Sequence, residues 1–189
     1  MTPPRMFEQL LVSIAKQFDK HNIPYIIIGG QAVLLYGEPR LTKDIDITIG
    51  LNIDRVDEIA KIMQEISLKP LPEDLHQFVK QTMVLPLIET ESGIRVDVIF
   101  SFSQFEHDAL KRANVITINN TKVRYASLED LIIFKLFSGR PRDIEDARKI
   151  LVKNKNADIK YIKKQLKILS FEGKDLMNDF ELILRESRI

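Results

Sequence analysis

The stretch GGQAVLLYGEPRLTKDIDITIG, residues 29–50, decides the fold that the sequence predicts. Asp44 and Asp46 interrupt a run of isoleucines for which we expect a strand. Aspartate is rare in strands and is seldom fully buried unless it is paired. The same stretch begins with the pair Gly29-Gly30. It therefore joins a glycine turn to two carboxylates on one strand, and both features need an explanation.

The bulk composition is that of an ordinary globular chain. It has 189 residues, 44% of them hydrophobic, a formal net charge of +1 and no cysteine. This length suffices for one well-formed core, and the charge provides no global basic field for nucleic acid. The lack of cysteine excludes disulfides, thiolate metal sites and a cysteine nucleophile. The charged, amphipathic N-terminal segment is unlike a signal peptide, and no apolar stretch approaches the ~20 residues that span a bilayer. We therefore expect a cytoplasmic protein with no membrane partner.

Hydrophobic periodicity predicts a mixed core followed by helices. The helices expected in the first part lie over 5–21, 31–37, 54–67 and 105–112. The strands expected there lie over 25–28, 45–49, 83–90 and 94–100, and a hairpin turns at Asn119-Asn120. From Ser127 onwards four periodic segments are all helical. We predict an α/β (α+β) fold, a mixed sheet flanked by helices, divided into a core of 1–125 and an all-helical C-terminal subdomain of 126–189.

A third aspartate repeats the anomaly of the first two. Asp97 stands in IRVDVIF, residues 94–100, between two valines. Side chains alternate along a strand, so Asp44 and Asp46 share one face about 6.5 Å apart. If the two strands are neighbours, the three carboxylates converge, and without a cation their repulsion would raise a pKa. Hard oxygen ligands of this kind favour Mg²⁺ or Mn²⁺ over Zn²⁺.

The glycine pair provides the complementary part of such a site. A strand that turns through Gly29-Gly30 into a helix lets backbone N–H groups approach an anion at the positive end of the helix dipole. A phosphate-binding turn beside a carboxylate-held metal is the arrangement that phosphoryl or nucleotidyl transfer requires. Each element has a simpler reading, since Gly-Gly is often a plain tight turn and Asp-x-Asp a turn or cap. The combination favours the functional interpretation.

The combination GGQA, a spacer, RLTKDIDI and then RVDVI resembles the DNA polymerase β-like nucleotidyltransferase superfamily. Within it the sequence is most similar to the AbiEii-type group, whose members often occur as toxin–antitoxin components. The likeness covers residues 25–100 and continues more loosely to about residue 151. It implies a metal-dependent nucleotidyltransferase. The motifs are fairly specific for the superfamily and much less specific for any substrate.

The resemblance assigns roles to the residues of these motifs. It implies that Asp44 and Asp46 bind two divalent metals, and that Asp97 binds one of them and helps to activate the attacking hydroxyl. Gly29 and Gly30 would cradle the nucleotide phosphates. These five positions are therefore the predicted catalytic, metal-binding and phosphate-binding residues.

Two further positions follow from the same motif. Thr42 stands where the family usually has Ser or Thr, and would contact a phosphate oxygen or cap the turn. Gln31 replaces a residue that is Ser in many relatives, which removes one hydroxyl but leaves the backbone donors.

The helical part carries a second group of candidates. LEDLIIFKLF and RDIEDARKIL resemble the Lys-bearing helix and the Asp-x-x-Asp segment of AbiEii-type proteins. Helical spacing puts Lys135 on an apolar face, where its ammonium would reach the triphosphate or would snorkel past the core. Asp143 is a candidate substrate contact, or a cap or first-turn acid that complements the helix dipole. Arg140 would contact phosphate or an RNA backbone, or else pair with Asp143, and Asp146 is expected to point further outward.

The predicted reaction passes a nucleoside monophosphate from an NTP to a hydroxyl. The acceptor would be an RNA such as tRNA, a Tyr or Ser of a partner protein, or a small molecule such as an aminoglycoside. A cognate toxin or antitoxin is a possible partner. The alternative is a non-catalytic nucleotide-binding or interaction module of the same fold.

Overall fold

The computed structural model describes residues 3–39, 42–170 and 175–186. Its strands are β1 (Tyr25–Ile28), β2 (Asp44–Ile49), β3 (Leu68–Pro70), β4 (Val84–Glu89), β5 (Arg95–Phe100), β6 (Asn114–Ile118) and β7 (Thr121–Tyr125). Its α-helices are α1 (Pro3–Lys20), α2 (Gly29–Tyr36), α3 (Val56–Gln64), α4 (Leu75–Thr82), α5 (Gln104–Lys111), α6 (Leu128–Ser138), α7 (Pro141–Lys153), α8 (Ile159–Leu169) and α9 (Leu176–Glu186).

The strands form one seven-stranded mixed sheet with the order β3-β4-β5-β2-β1-β7-β6. β2 lies near the centre, parallel to β5 and antiparallel to β1. The predicted α/β fold, a mixed sheet flanked by helices, is confirmed. All strands fall within residues 25–125 and α6 to α9 follow them. The division into a core of 1–125 and a subdomain of 126–189 stays a prediction.

The alternation of side chains along β2 separates the core from the site. Ile45, Ile47 and Ile49 are fully buried on one face. The opposite face carries Asp44, which is exposed, and Asp46, which is half-buried. The strand is therefore anchored by apolar burial on one side, which leaves the other side available for chemistry.

Two of the C-terminal helices, α6 and α7, pack on α2, the helix that begins with the glycine pair. The Tyr36 hydroxyl donates to the Ala126 carbonyl at 2.9 Å. At the far end of α7, Lys153 Nζ donates to the Gly37 carbonyl and Asn154 Nδ2 to the Tyr36 carbonyl, each at 2.7 Å. The end of α2 thus donates to a backbone carbonyl just before α6, and its own carbonyls accept from the end of α7.

A buried carboxylate joins α5, α6 and α8. Asp130, which is fully buried, accepts hydrogen bonds from Ser127 Oγ at 2.7 Å, Tyr161 Oη at 2.7 Å and Arg112 Nε at 3.2 Å. The Arg112 guanidinium also lies 4.0 Å from the centre of the Tyr161 ring. The charge of Asp130 is thus satisfied on both oxygens, which makes this contact a structural one.

The structure adds two short elements and moves the start of α2. β3 and α4 were not predicted; β3 has three residues and ends at Pro70, too short for periodicity to show. α2 begins at Gly29, so the glycine pair forms its first turn instead of preceding it. The predicted hairpin is confirmed, with positive φ angles at Asn119 and Asn120. No helix in the described ranges is long and apolar enough to cross a membrane.

Candidate active site

The two aspartate-bearing strands are direct neighbours. β2 and β5 pair in parallel, with Asp46 opposite Asp97 and Asp44 opposite Arg95. Residues that are opposite each other in neighbouring strands have side chains on the same face of the sheet. The structure thus places Asp44, Asp46 and Asp97 on one face, as the sequence pattern requires if the strands adjoin.

The glycine turn packs directly against this face. Gly29 has φ +62°, and a Cβ atom built on it would lie 1.7 Å from Asp46 Oδ2. The backbone N–H of Gly30 donates a hydrogen bond to Asp46. Only glycine fits at position 29, because any side chain would overlap the carboxylate and the backbone is left-handed. The first turn of α2 and the carboxylates therefore form one continuous surface.

The carboxylates disfavour their own ionisation. Burial, followed by the charges of Asp44 and Asp97, raises the pKa of Asp46 to about 6, although Lys135 acts in the opposite direction. Burial likewise raises the pKa of Asp97, and Asp44 adds to the effect. A cation bound on this face would relieve the repulsion between them.

The donor set fits a divalent cation. Asp97 Oδ1 is buried and has no hydrogen-bond partner within the described chain, which leaves one carboxylate oxygen for a ligand. Oxygen donors alone suit Mg²⁺ or Mn²⁺. Across 3–39, 42–170 and 175–186, no three carboxylate or imidazole groups already stand close enough to hold an ion together. Asp44, Asp46 and Asp97 therefore do not form a closed ligand cage.

Thr42 supports the start of β2. It is buried, and its hydroxyl donates to Asp44 Oδ1 at 3.0 Å and to the Asp44 carbonyl at 3.2 Å. This geometry matches the turn-capping alternative, and the phosphate contact stays a prediction. Arg40 and Leu41 of the same motif lie outside the described residues. Gln31 is buried in α2.

Lys135 forms a buried ion-pair cluster between α6 and α7. Its Nζ lies 2.5 Å from Asp143 Oδ1 and 3.2 Å from Asp146 Oδ2, and all three side chains are almost completely buried. The prediction that Asp146 points outward is wrong, because that face of α7 packs against α6. Lys135 does not snorkel to solvent, and its charge acts on Asp46. The contact of Lys135 with triphosphate stays a prediction.

Asp143 is held by three donors. Besides Lys135, its carboxylate accepts from Ser138 Oγ at 2.7 Å and from Arg140 Nε at 2.6 Å. Against the effect of burial, the hydrogen bonds from Lys135 and Ser138 lower the pKa of Asp143. The pairing of Arg140 with Asp143 agrees with one of the two alternatives for this arginine. A substrate contact of Asp143 stays a prediction, since its observed partners all belong to the chain.

The family model for nucleotidyltransferases of unknown function (DUF6036) matches residues 5–182. The chain belongs to this family. This match confirms the predicted class of enzyme, whereas the closer relation to AbiEii-type proteins stays a prediction. No curated protein matches this nucleotidyltransferase in sequence.

Solved structures share its fold. A nucleotidyltransferase-like antigenic protein from Paracoccidioides brasiliensis superposes with a TM-score of 0.58 at 18% identity, covering 95% of this chain and 87% of that one. ANT(2″)-Ia in complex with adenylyl-2″-tobramycin superposes with a TM-score of 0.54 at 18% identity, covering 97% of both chains. A putative nucleotidyltransferase from Thermotoga maritima gives 0.51 at 21% identity, covering 80% of this chain and 95% of that one.

Two phenylalanines of this nucleotidyltransferase, Phe102 and Phe105, follow Asp97 shortly after the end of β5. Phe105 is buried, while Phe102 is 63% exposed, and both line an apolar cavity next to the carboxylates. Thr48, on the aspartate face of β2, is part of the same lining. The alternation that places Asp44 and Asp46 together also places Thr48 there.

We expect Lys135→Met to lower the free energy of unfolding by about 3–5 kcal/mol, because it leaves two buried carboxylates without their cation. Chemical denaturation measures this loss. The matched control is Lys163→Met, which breaks the half-exposed pair with Glu181 and should cost less than about 1 kcal/mol. Equal losses for both variants would contradict a buried cluster.

We expect Asp46→Asn to stabilise the cation-free nucleotidyltransferase at neutral pH. The folded pKa of about 6 lies above the usual ~3.9, so the folded state binds the proton more tightly. The wild type therefore loses stability as the pH rises from about 4 through 6. At pH 7.5 the free energy of unfolding of the variant should exceed that of the wild type by about 1–3 kcal/mol. This difference should fall to zero near pH 4.

Urea denaturation in EDTA at both pH values measures this difference. Asp54→Asn, on an exposed site, serves as the control and should show no such gap. Mg²⁺ should reduce the advantage of Asp46→Asn. A wild type that is as stable as the variant at pH 7.5 without cation would contradict the repulsion.

Proposed function

We propose that the protein transfers a nucleoside monophosphate from an NTP to a hydroxyl acceptor, in a reaction that depends on Mg²⁺ or Mn²⁺. One observation carries the proposal: the Gly29 backbone packs on Asp46, which is itself in register with Asp97. The glycine turn, which we propose binds phosphate, and the carboxylates, which we propose bind metal, thus share a single surface. Nucleotidyl transfer needs both at the same phosphorus atom.

In this proposal one group of residues binds the phosphates and another holds the cations. The first turn of α2, which begins with Gly29 and Gly30, would bind the phosphates at the positive end of the helix. Asp44, Asp46 and Asp97 would hold the divalent cations, which supply charge stabilisation on the leaving group and lower the pKa of the acceptor. The positive charge of Lys135 acts on Asp46 and favours its ionised form. The cluster of Lys135 with Asp143 and Asp146 fixes that charge in position.

The transfer balances as a displacement at phosphorus. The acceptor oxygen forms a bond to the α-phosphorus, and the bond from that phosphorus to the bridging oxygen breaks. Pyrophosphate leaves with the electron pair, and the hydroxyl proton passes to Asp97. The site is built to position charge and requires no covalent enzyme intermediate.

Two sources of evidence bear on the acceptor. ANT(2″)-Ia was solved with adenylyl-2″-tobramycin, an adenylylated small molecule, and shares the fold. The resemblance to AbiEii-type proteins instead implies tRNA or a protein, and a cognate toxin or antitoxin as partner. Each of these acceptors offers a hydroxyl, which is the chemistry that the carboxylates require.

Label transfer tests the proposal. Each of the four NTPs, labelled at the α-phosphate, is incubated with the protein, Mg²⁺ or Mn²⁺, total tRNA, cell protein and tobramycin. We expect label in one acceptor class, dependent on the cation. NTP binding without any transfer to these acceptors would favour the non-catalytic binding module.

A further inference from the structure

A small apolar cavity opens beside the three carboxylates. Its volume is about 240 Å³, and it lies between the sheet, α5, α6 and the end of α8. Its lining includes Thr48, Ile99, Phe102, Phe105, Phe134 and Leu169. No role in the proposed reaction has yet been assigned to it.

The register of the sheet connects this cavity to the site. Thr48 lies opposite Ile99, and this pair comes two residues after the pair Asp46–Asp97 on the same strands. Positions two apart share a face and lie about 6.5 Å from each other. The floor of the cavity is thus the direct continuation of the carboxylate face. A group seated in the cavity can present an atom to the carboxylates.

The walls favour an aromatic group. Phe105 and Phe134 pack with ring centroids 5.0 Å apart, and Phe102 and Phe137 complete an aromatic lining. Flat rings bind well between such side chains. The one acidic residue of the described lining, Glu106, accepts hydrogen bonds on its Oε2 from the Phe102 N–H, the Ser103 N–H and the Ser103 hydroxyl.

The same lining disfavours an RNA acceptor. An RNA phosphodiester would find no cationic side chain among the lining residues described. The volume is also below the roughly 300–1,000 Å³ typical of sites for drug-sized ligands. The cavity suits a single ring.

One polar atom in the cavity lacks a partner. The Thr48 hydroxyl is fully buried and makes no hydrogen bond within the described chain. Buried hydroxyls are normally paired, and an unpaired one costs stability. Thr48 stands at the carboxylate end of the cavity, so its hydroxyl is placed to bind a polar atom of a ligand whose body is apolar.

We propose that this cavity binds the acceptor and that the acceptor is a phenol, as on a tyrosyl side chain. This inference rests on the proposed function. The ring packs among the phenylalanines, and its hydroxyl points toward Asp97 beside the Thr48 hydroxyl. The phenolic oxygen bonds to the α-phosphorus, pyrophosphate leaves with the electron pair, and the phenolic proton passes to Asp97. The product is a nucleotidylated tyrosyl group.

Binding of N-acetyl-tyrosinamide, followed by saturation-transfer NMR, tests the cavity without requiring turnover. Leu169→Trp fills the cavity and should weaken binding at least about tenfold. The adjacent Ile168→Trp is the matched control, because Ile168 is 67% exposed and does not line the cavity. Thr48→Val keeps the shape of the side chain and removes its hydroxyl. It should weaken the binding of N-acetyl-tyrosinamide but not the binding of N-acetyl-phenylalaninamide.

The outcomes separate this inference from the proposed function. Unchanged binding of the probe to both Leu169→Trp and Thr48→Val overturns the cavity assignment. Displacement of the probe by ATP also overturns it, because the cavity would then bind the nucleobase. Transfer of label to tRNA or tobramycin, but not to N-acetyl-tyrosinamide, overturns the phenol while the proposed function stands. Cavity-dependent binding of the probe with no transfer from any NTP supports the site but contradicts the proposed function.

Discussion

Replacing Asp46 by Asn is expected to lower nucleotidyl transfer at least about 1,000-fold, which corresponds to about 4 kcal/mol of transition-state stabilisation. Asp46 is the carboxylate that touches both parts of the site. It receives the Gly30 N–H, lies against the Gly29 backbone and stands opposite Asp97. Asn keeps the size of the side chain but removes the negative charge that would hold a cation.

The rate of α-label incorporation, compared between wild type and variant at equal protein concentration, measures this effect. The variant should fold, because removing the charge relieves repulsion on this face. Asp54→Asn, which changes an exposed acid away from the carboxylate face, should retain the wild-type rate. A folded Asp46→Asn protein with a rate within about tenfold of the wild type would contradict a catalytic role for this carboxylate.

Gly29→Ala is the second large effect. The new Cβ atom would stand 1.7 Å from Asp46 Oδ2, and alanine at φ +62° also pays the steric cost of a left-handed backbone. We expect a loss of at least about 3 kcal/mol of unfolding free energy. If Asp46 instead rotates away, the carboxylates separate from the turn and transfer falls at least about 100-fold.

A second glycine provides a control that separates the backbone strain from the collision with Asp46. Gly93 has φ +71°, and a Cβ atom there would meet nothing within 4 Å. Gly93→Ala therefore carries the backbone strain without the collision. It should cost about 1–2 kcal/mol and leave the transfer rate unchanged. Equal effects of the two alanines on stability and rate would show that the contact of Gly29 with Asp46 has no special importance.

The carboxylate face was predictable from the sequence because the signal is local. Alternation along β2 places Asp44 and Asp46 on one face, and Asp97 interrupts a second apolar strand in the same way. The sequence alone did not show that these two strands pair, because register depends on contacts between residues that are distant in the sequence. The structure shows that they do pair.

The helical part was less predictable because its chemistry depends on how two helices meet. Periodicity correctly put Lys135 on a buried face, but its partners Asp143 and Asp146 come from the next helix. The outward placement predicted for Asp146 was wrong for the same reason: the face that α7 turns toward α6 follows from packing, not from spacing alone. The apolar cavity also needs β2, β5 and three helices together.

The central claim, that this face transfers a nucleotidyl group, is tested most directly by the stoichiometry of its products. Pyrophosphate released and α-label incorporated are measured in the same reaction with Mg²⁺. The account predicts that the two amounts are equal, and that both are lost in Asp46→Asn. Release of a nucleoside diphosphate with transfer of the γ-label, or equal product formation by Asp46→Asn, would contradict it.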